Sequence, residues 1–292
     1  MKIGLGAAQF GMDYGVANKE GRTPQDEVGK ILAVAAANDI EVIDTAAYYG
    51  DSETVLGRTL PPEGFKLITK TPGFAGRAVT TAEADELEQI FRRSLERLRR
   101  PSVYALLVHH ADDLLGRGGD ILMARMKALK AAGLVGKIGA SVYDASQIDG
   151  LLASCDFDLI QLPINLLDQR LVESGHLMKL KGRGVEIHAR SVFLQGLLLM
   201  APQELPSYFT PIRAHLEACH SAFAEAGVSP LAASLGFVLE IDEIDAIICG
   251  VNSHRQLEEI CAAVHAQGAF PDWRAFALDD VRYINPANWK LQ

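Results

Sequence analysis

Short apolar runs rich in β-branched residues alternate with longer amphipathic stretches from one end of the chain to the other. The apolar runs are Lys2–Ala8, Glu41–Ala46, Lys66–Thr71, Val103–His110, Ile138–Tyr143, Leu159–Asn165, Glu186–Phe193 and Ala246–Val251. Interiors such as YALLV, LIQLPI and AIICG are continuous rather than alternating. That is the pattern of parallel strands covered on both faces, so eight strands are expected. Between them the helical period predicts helices over Pro24–Asn38, Ser52–Leu60, Thr81–Arg99, Leu122–Ala132, Ala145–Ser154, Asp168–Lys181, Pro211–Ala226, Pro230–Leu239 and His254–Gln267. Several starts are legible. Thr23-Pro24 places a cap before a proline, and Thr80–Glu83, Asp144–Gln147 and Ser253–Gln256 have capping-box spacing or a close variant. Gly133, Gly182, Gly227 and Gly268 stand where helices should stop.

Strict alternation of strand and helix implies parallel strands joined by right-handed crossovers. Eight such units in 292 residues suit a closed (β/α)8 TIM barrel better than an open sheet. No Gly/Ser/Pro-rich linker divides the chain, so residues 1–292 are expected to form one domain, with 269–292 as a C-terminal tail near the barrel mouth. The irregular stretch Gly196–Thr210 and that tail are expected to shape the mouth.

Composition narrows the partners. A net charge of −9 argues against nucleic acid or an anionic membrane surface, which need a clustered basic face. The densest basic run, Arg92 to Arg100, alternates with Leu and Glu and is expected to be a solvated helix face. Cys155, Cys219, Cys249 and Cys261 form no CxxC pair and have no metal-like spacing with His, which suits a reducing compartment. The N-terminus lacks the pattern of a signal peptide, and no apolar run is long enough to span a bilayer. A cytoplasmic protein is the expectation.

Catalytic groups of barrels gather at the C-terminal ends of strands. There the second strand carries Asp44, followed by Tyr48 and Tyr49, the third ends with Lys70, and the fourth ends with His109 and His110. Each alone is more often an ordinary ion pair or a packed polar group. Together on adjacent strand ends they point to acid–base chemistry. Tyrosine, with a pKa of about 10, is a weak acid, and a nearby ammonium favours its phenolate. Lys70 could play that part if Asp44 holds it charged. The rival reading, a metal-dependent hydrolase, needs three or more ligands. His188 is the only further strand candidate and no HxH pair lies on the first strand, so no metal is expected.

The segment IDTAAYYGDSE from Ile43 to Glu53 resembles the DTAxxYGxSE signature of the aldo-keto reductases. The likeness continues through LITKT, ALLVHH, GKIGAS, DLIQLPIN, SVFLQGLL and IICGVNSHRQLEE, in order along nearly the whole chain. The resemblance implies Tyr49 as general acid, Lys70 as its tuner, Asp44 as the anchor of Lys70, and His109 as the group that orients a carbonyl oxygen. Tyr48 is the rival acid by type, and family spacing selects Tyr49. It implies reduction of a small aldehyde, ketone or sugar-like carbonyl with NADPH preferred and NADH open. The alternative is a non-catalytic, cofactor-binding regulatory subunit of the same fold.

Carried over by position, Ser141 and Gln161 would bond the nicotinamide carboxamide. Ser191, Phe193 and Gly196 would line the pyrophosphate, and Gly250, Asn252, Gln256 and Glu259 the adenosine end. Three positions depart from the family. Val142 replaces the Asn usual after Ser141, and Arg190 replaces the aromatic that commonly stacks on the nicotinamide. Gln256 stands where many members carry an arginine for the 2′-phosphate, so Arg255, one residue away, is expected to take that role. Ser191 and Gln256 could equally be local caps.

Overall fold

The computed structural model describes residues 2–74, 78–265 and 272–291. Its strands are β1 Ile3–Gly6, β2 Val42–Asp44, β3 Lys66–Lys70, β4 Val103–Val108, β5 Val135–Ser141, β6 Leu159–Pro163, β7 Glu186–Arg190 and β8 Ala246–Gly250. They close into one parallel barrel in sequence order, with β8 returning to β1 through Ile3↔Ile247 and Gly6↔Gly250. The expected (β/α)8 barrel is the observed architecture.

Side chains alternate along each strand, and the two faces sort into two apolar clusters. Ile68, Ala105, Leu107 and Leu159 fill the barrel interior. Leu67, Leu106, Ile160 and Ile187 point outward into the larger cluster shared with the helices. Both faces are dry, which is why the strand sequences are apolar without alternation. Lys70 follows Ile68 by two residues and therefore shares its inward face at the top of the barrel. On β7 the same arithmetic aligns Glu186, His188 and Arg190.

The main helices are α1 Gln25–Ala37, α2 Ser52–Thr59, α3 Thr81–Leu98, α4 Gly119–Ala131, α5 Ala145–Ser154, α6 His176–Gly182, α7 Arg213–Glu225, α8 Pro230–Leu239 and α9 His254–Ala263. The α3 capping box forms as expected: the Thr80 hydroxyl accepts from the Ala82 N–H, and Glu83 accepts from the Thr80 N–H at 2.8 Å. Asp144 and Ser253 cap α5 and α9 by accepting from the N–H of Gln147 and Gln256. Among the described residues no single helix is long and apolar enough to cross a membrane.

Several local expectations are corrected. Pro24 is itself the cap residue of α1, and the Thr23 hydroxyl is buried and meets no hydrogen-bond partner among the described residues. The helix expected over Asp168–Lys181 is two pieces, Arg170–Glu173 and α6, broken where Gly175 turns left-handed (φ +73°). α6 ends at Gly182 as expected, and the left-handed glycine follows at Gly184 (φ +71°). The stretch Gly196–Thr210 folds largely into short 3-10 turns, within Leu194–Leu199, Pro202–Glu204 and Ser207–Ile212, and α7 starts after them. The helix expected to run to Gln267 ends at Ala263, and Gly268 lies outside the described residues.

Candidate active site

Asp44 ends β2 and Lys70 ends β3, and parallel pairing brings the two inward-facing side chains together. The Lys70 ammonium donates to Asp44 Oδ1 and Oδ2 at 2.7 and 2.5 Å and to the Thr45 carbonyl at 3.1 Å. All three of its protons are therefore spent. The pair is almost dry, with side-chain exposures of 1% for Lys70 and 7% for Asp44. Burial pushes the ammonium below its ordinary range, and the Asp44 carboxylate opposes that.

The loop after β2 places Tyr49 over this pair. It is pinned from below: Ser52 Oγ donates to the Ala7 carbonyl at 2.7 Å, and Glu53 accepts from Thr69 at 2.6 Å and from Arg97 at 2.8 Å. Gly50 is required because its φ is +52° and a Cβ there would meet the Gly11 carbonyl at 2.2 Å. The Lys70 nitrogen lies 5.0 Å from the centre of the Tyr49 ring, and the His109 ring meets it edge-on at 5.6 Å. His110 stacks behind His109 at 5.0 Å. Tyr48 is 58% exposed and stands outside the cluster.

The net effect of the surroundings on the Tyr49 phenol is upward, not the lowering expected from Lys70. Burial and the Asp44 charge raise the phenol above its usual value, and the opposing positive charge is that of Arg190. Burial, then the charges of Lys70, His110 and Arg190, hold His109 down to about 3, so its imidazole is neutral at physiological pH.

Arg190 ends β7 on the opposite wall. Its guanidinium lies 4.4 Å over the Tyr143 ring. Nε donates to Ser141 Oγ at 3.2 Å, one terminal nitrogen to Ser191 Oγ at 3.3 Å, and the other to the Val142 carbonyl at 3.0 Å. Ser191 is left-handed (φ +60°), as are Leu194 and Gln195 further along the same loop. Sequence reasoning missed Tyr14 and Tyr143. Tyr14, in the loop after β1, is pushed up to about 12 by burial and then by Tyr49 and Tyr143, while the positive charges of Arg190 and Lys70 oppose the rise. The only signal for either was an aromatic in a strand-to-helix loop of the catalytic face.

These groups line one cavity of about 790 Å³. It runs from Asp44, Tyr49, Lys70 and His109 past Ser141, Gln161, Arg190, Ser191, Phe193 and Gly196 to Gly250, Asn252, Gln256 and Glu259. Pro286 and Ala287 of the C-terminal tail also reach it. Glycines 6 and 250 keep the floor open: a Cβ on Gly250 would meet the Gln9 amide at 2.6 Å. Some expected contacts are already used. Gln161 Nε2 donates to Asp44 Oδ1 at 2.9 Å, which leaves its amide oxygen for a ligand. Gln256 Oε1 accepts from the Asn252 N–H at 2.7 Å and so serves as a local cap. Arg255 is exposed and is not among the lining residues. His188 is buried against Glu186 at 2.6 Å, and among the described residues no three His, Cys, Asp or Glu side chains gather as a metal site would require.

The sequence profile of the Aldo/keto reductase family matches residues 2–274. Two curated proteins are similar over about half the chain. D-arabinose 1-dehydrogenase from Saccharomyces cerevisiae is 27% identical over 173 residues, 50% of this chain and 51% of that protein. Aldo-keto reductase YhdN from Bacillus subtilis is 30% identical over 159 residues, 51% of this chain and 47% of that protein. The match thus spans about half the length of each relative. Among solved structures, aldo-keto reductase AKR11C1 from Bacillus halodurans in its holo form superposes with a TM-score of 0.74 at 20% identity, over 94% of this chain and 90% of that one. With its signature residues gathered at one end of a closed barrel and a family match across nearly its full length, this chain belongs to the aldo/keto reductase family.

Proposed function

We propose that this protein is a nicotinamide-dependent carbonyl reductase acting on a small aldehyde, ketone or sugar-like carbonyl, with NADPH preferred over NADH. The observation that carries the reading is the Tyr49 phenol set over the buried Lys70–Asp44 pair, beside His109, in a cavity long enough to extend to the start of α9. The cavity fits a nicotinamide dinucleotide: the open floor at Gly250, the free Gln161 amide oxygen and nine lining positions expected from the family support it. When bound, the nucleotide supplies the hydride.

The chain supplies the rest. His109, kept neutral by burial, can donate one hydrogen bond to the carbonyl oxygen and orient it. Tyr49 gives its proton to the oxygen as charge develops there. Burial makes the phenol a weaker acid at rest, but an alkoxide is a stronger base than a phenolate, so transfer remains downhill once hydride has arrived. Lys70 and Asp44 form a buried, paired floor beneath the phenol. The similarity to the yeast D-arabinose 1-dehydrogenase favours a hydroxylated substrate.

Tyr49→Phe should lower turnover on a carbonyl panel by about two to four powers of ten. Nucleotide affinity should hold, and Tyr48→Phe should remain active. Loss in Tyr48→Phe with near-full activity in Tyr49→Phe would reverse the assignment. Nucleotide binding without turnover of any carbonyl would instead mark a regulatory, cofactor-binding subunit.

A further inference from the structure

Of Lys70, His109, Tyr49, Tyr14 and Arg190 around the reacting position, all but one are uncharged or paired at neutral pH. Lys70 is matched by Asp44. Burial holds His109 in its neutral form and Tyr49 and Tyr14 as phenols. Glu20 and Glu259 line the cavity but stand in water, where their charges are screened, and Glu204 faces Lys19 at 3.6 Å. The exception is Arg190. It is half-buried, its three hydrogen bonds end on two hydroxyls and a carbonyl, and among the described residues no carboxylate pairs with it. Its charge nevertheless reaches Tyr49, Tyr14, His109 and Lys70. With one face on Tyr143 and its edge spent, the other face of the guanidinium is what remains for the cavity.

We infer that Arg190 is the uncompensated positive charge of the site and sets the direction of the reaction by disfavouring the oxidised, cationic nicotinamide relative to the reduced, neutral one. The inference rests on the proposed carbonyl reductase. The placement follows from the chemistry. A carbonyl whose oxygen takes the Tyr49 proton must have its carbon within about 3–3.5 Å of the hydride donor. The nicotinamide ring then shares the space between Tyr49 and Arg190. Two unit charges a few ångströms apart in a partly dry cavity repel, and the reduced ring escapes that repulsion. A guanidinium is also planar and can lie against the reduced ring at no such cost.

Dissociation constants of NADPH, NADP+, NADH and NAD+ for the wild-type protein, Arg190→Met and Arg190→Lys test this. The wild type should hold the reduced form of its preferred nucleotide about tenfold or more tighter than the oxidised form, an effect reduced from the unscreened Coulomb value by solvent. Arg190→Met should bring the ratio close to one, chiefly by tightening the oxidised form. Arg190→Lys, which keeps the charge and loses the fork, should retain most of it. A merely structural Arg190, needed to hold Ser141, Ser191 and Val142, would weaken both forms alike in both variants, and that result overturns the inference. Parity of the two forms in the wild type overturns it even if Arg190→Met does not fold. Failure of the wild type to bind any of the four nucleotides would sink the carbonyl-reductase reading itself. Binding with a ratio that survives Arg190→Met would sink only the role of Arg190.

Discussion

A buried ammonium whose three protons are all donated constrains its neighbours more than it activates them. Lys70 is such a group, and Asp44 is the only carboxylate on it among the described residues. Removing one partner of a dry ion pair leaves the other unpaid, typically at about 3–5 kcal/mol. Asp44→Asn should therefore lose about 3 kcal/mol of stability in denaturant unfolding. The double variant Asp44→Asn with Lys70→Met should recover most of that, since no lone charge remains. Losses that simply add in the double variant would mean the pair is not coupled. At this scale the sequence put Asp44, Lys70 and His109 at one end of the barrel, because strand ends are legible from apolar runs, and the family spacing singled out Tyr49 over the exposed Tyr48. It could not show that Lys70 is saturated by Asp44 and the Thr45 carbonyl, nor that Tyr14 turns inward. Both depend on the path of a loop, which has no periodicity to read.

Among elements, those with local signals emerged with the expected bounds to within a few residues, and those without did not. Strands announce themselves by dry sequence on both faces, and α3, α5 and α9 by caps that form as spaced. The break at Gly175 was hidden because apolar residues continue at helical spacing on either side of it. The start of α9 carries a functional consequence. Gln256 closes the cap from its side chain, so it is poorly placed to read a nucleotide, whereas Arg255 in the same turn is exposed and makes no hydrogen bond or ion pair among the described residues. It stands beside Asn252, Gln256 and Glu259, which line the far end of the cavity. Arg255→Ala should weaken NADPH by about fivefold, the roughly 1 kcal/mol of an exposed ion pair, and leave NADH unchanged. Gln256→Ala should cost helix stability and leave the preference between the two nucleotides intact. Equal effects of Arg255→Ala on both nucleotides would remove Arg255 from phosphate recognition.

The whole barrel divides its polar residues between two ends with different work. The C-terminal end holds the candidate site, and the N-terminal end holds a network centred on Glu186 at the start of β7. Glu186 accepts from His188 at 2.6 Å and from Tyr104 at 2.7 Å, and it pairs with Lys137. Its side chain is 17% exposed. Burial pushes its carboxyl upward, but the hydrogen bonds from His188, Lys137 and Tyr104 outweigh that and hold it down to about 2. A carboxylate with a depressed folded pKa contributes stability that is complete above its unfolded value near 4.5 and is lost as pH falls toward 2. The wild type should therefore lose stability steeply between about pH 5 and pH 2. Glu186→Gln cannot titrate there. It should be less stable at pH 7 by about 2 kcal/mol, because Lys137, Tyr104 and the buried His188 lose a charged acceptor. The two curves of melting temperature against pH should converge on the acid side as the wild type protonates Glu186. Because this network lies at the barrel end opposite Tyr49, the variant should keep its nucleotide affinities at pH 7. Parallel curves from pH 7 to pH 2 would show that Glu186 gives the barrel no pH-dependent stability, and a change in nucleotide affinity would show that the two ends are not independent.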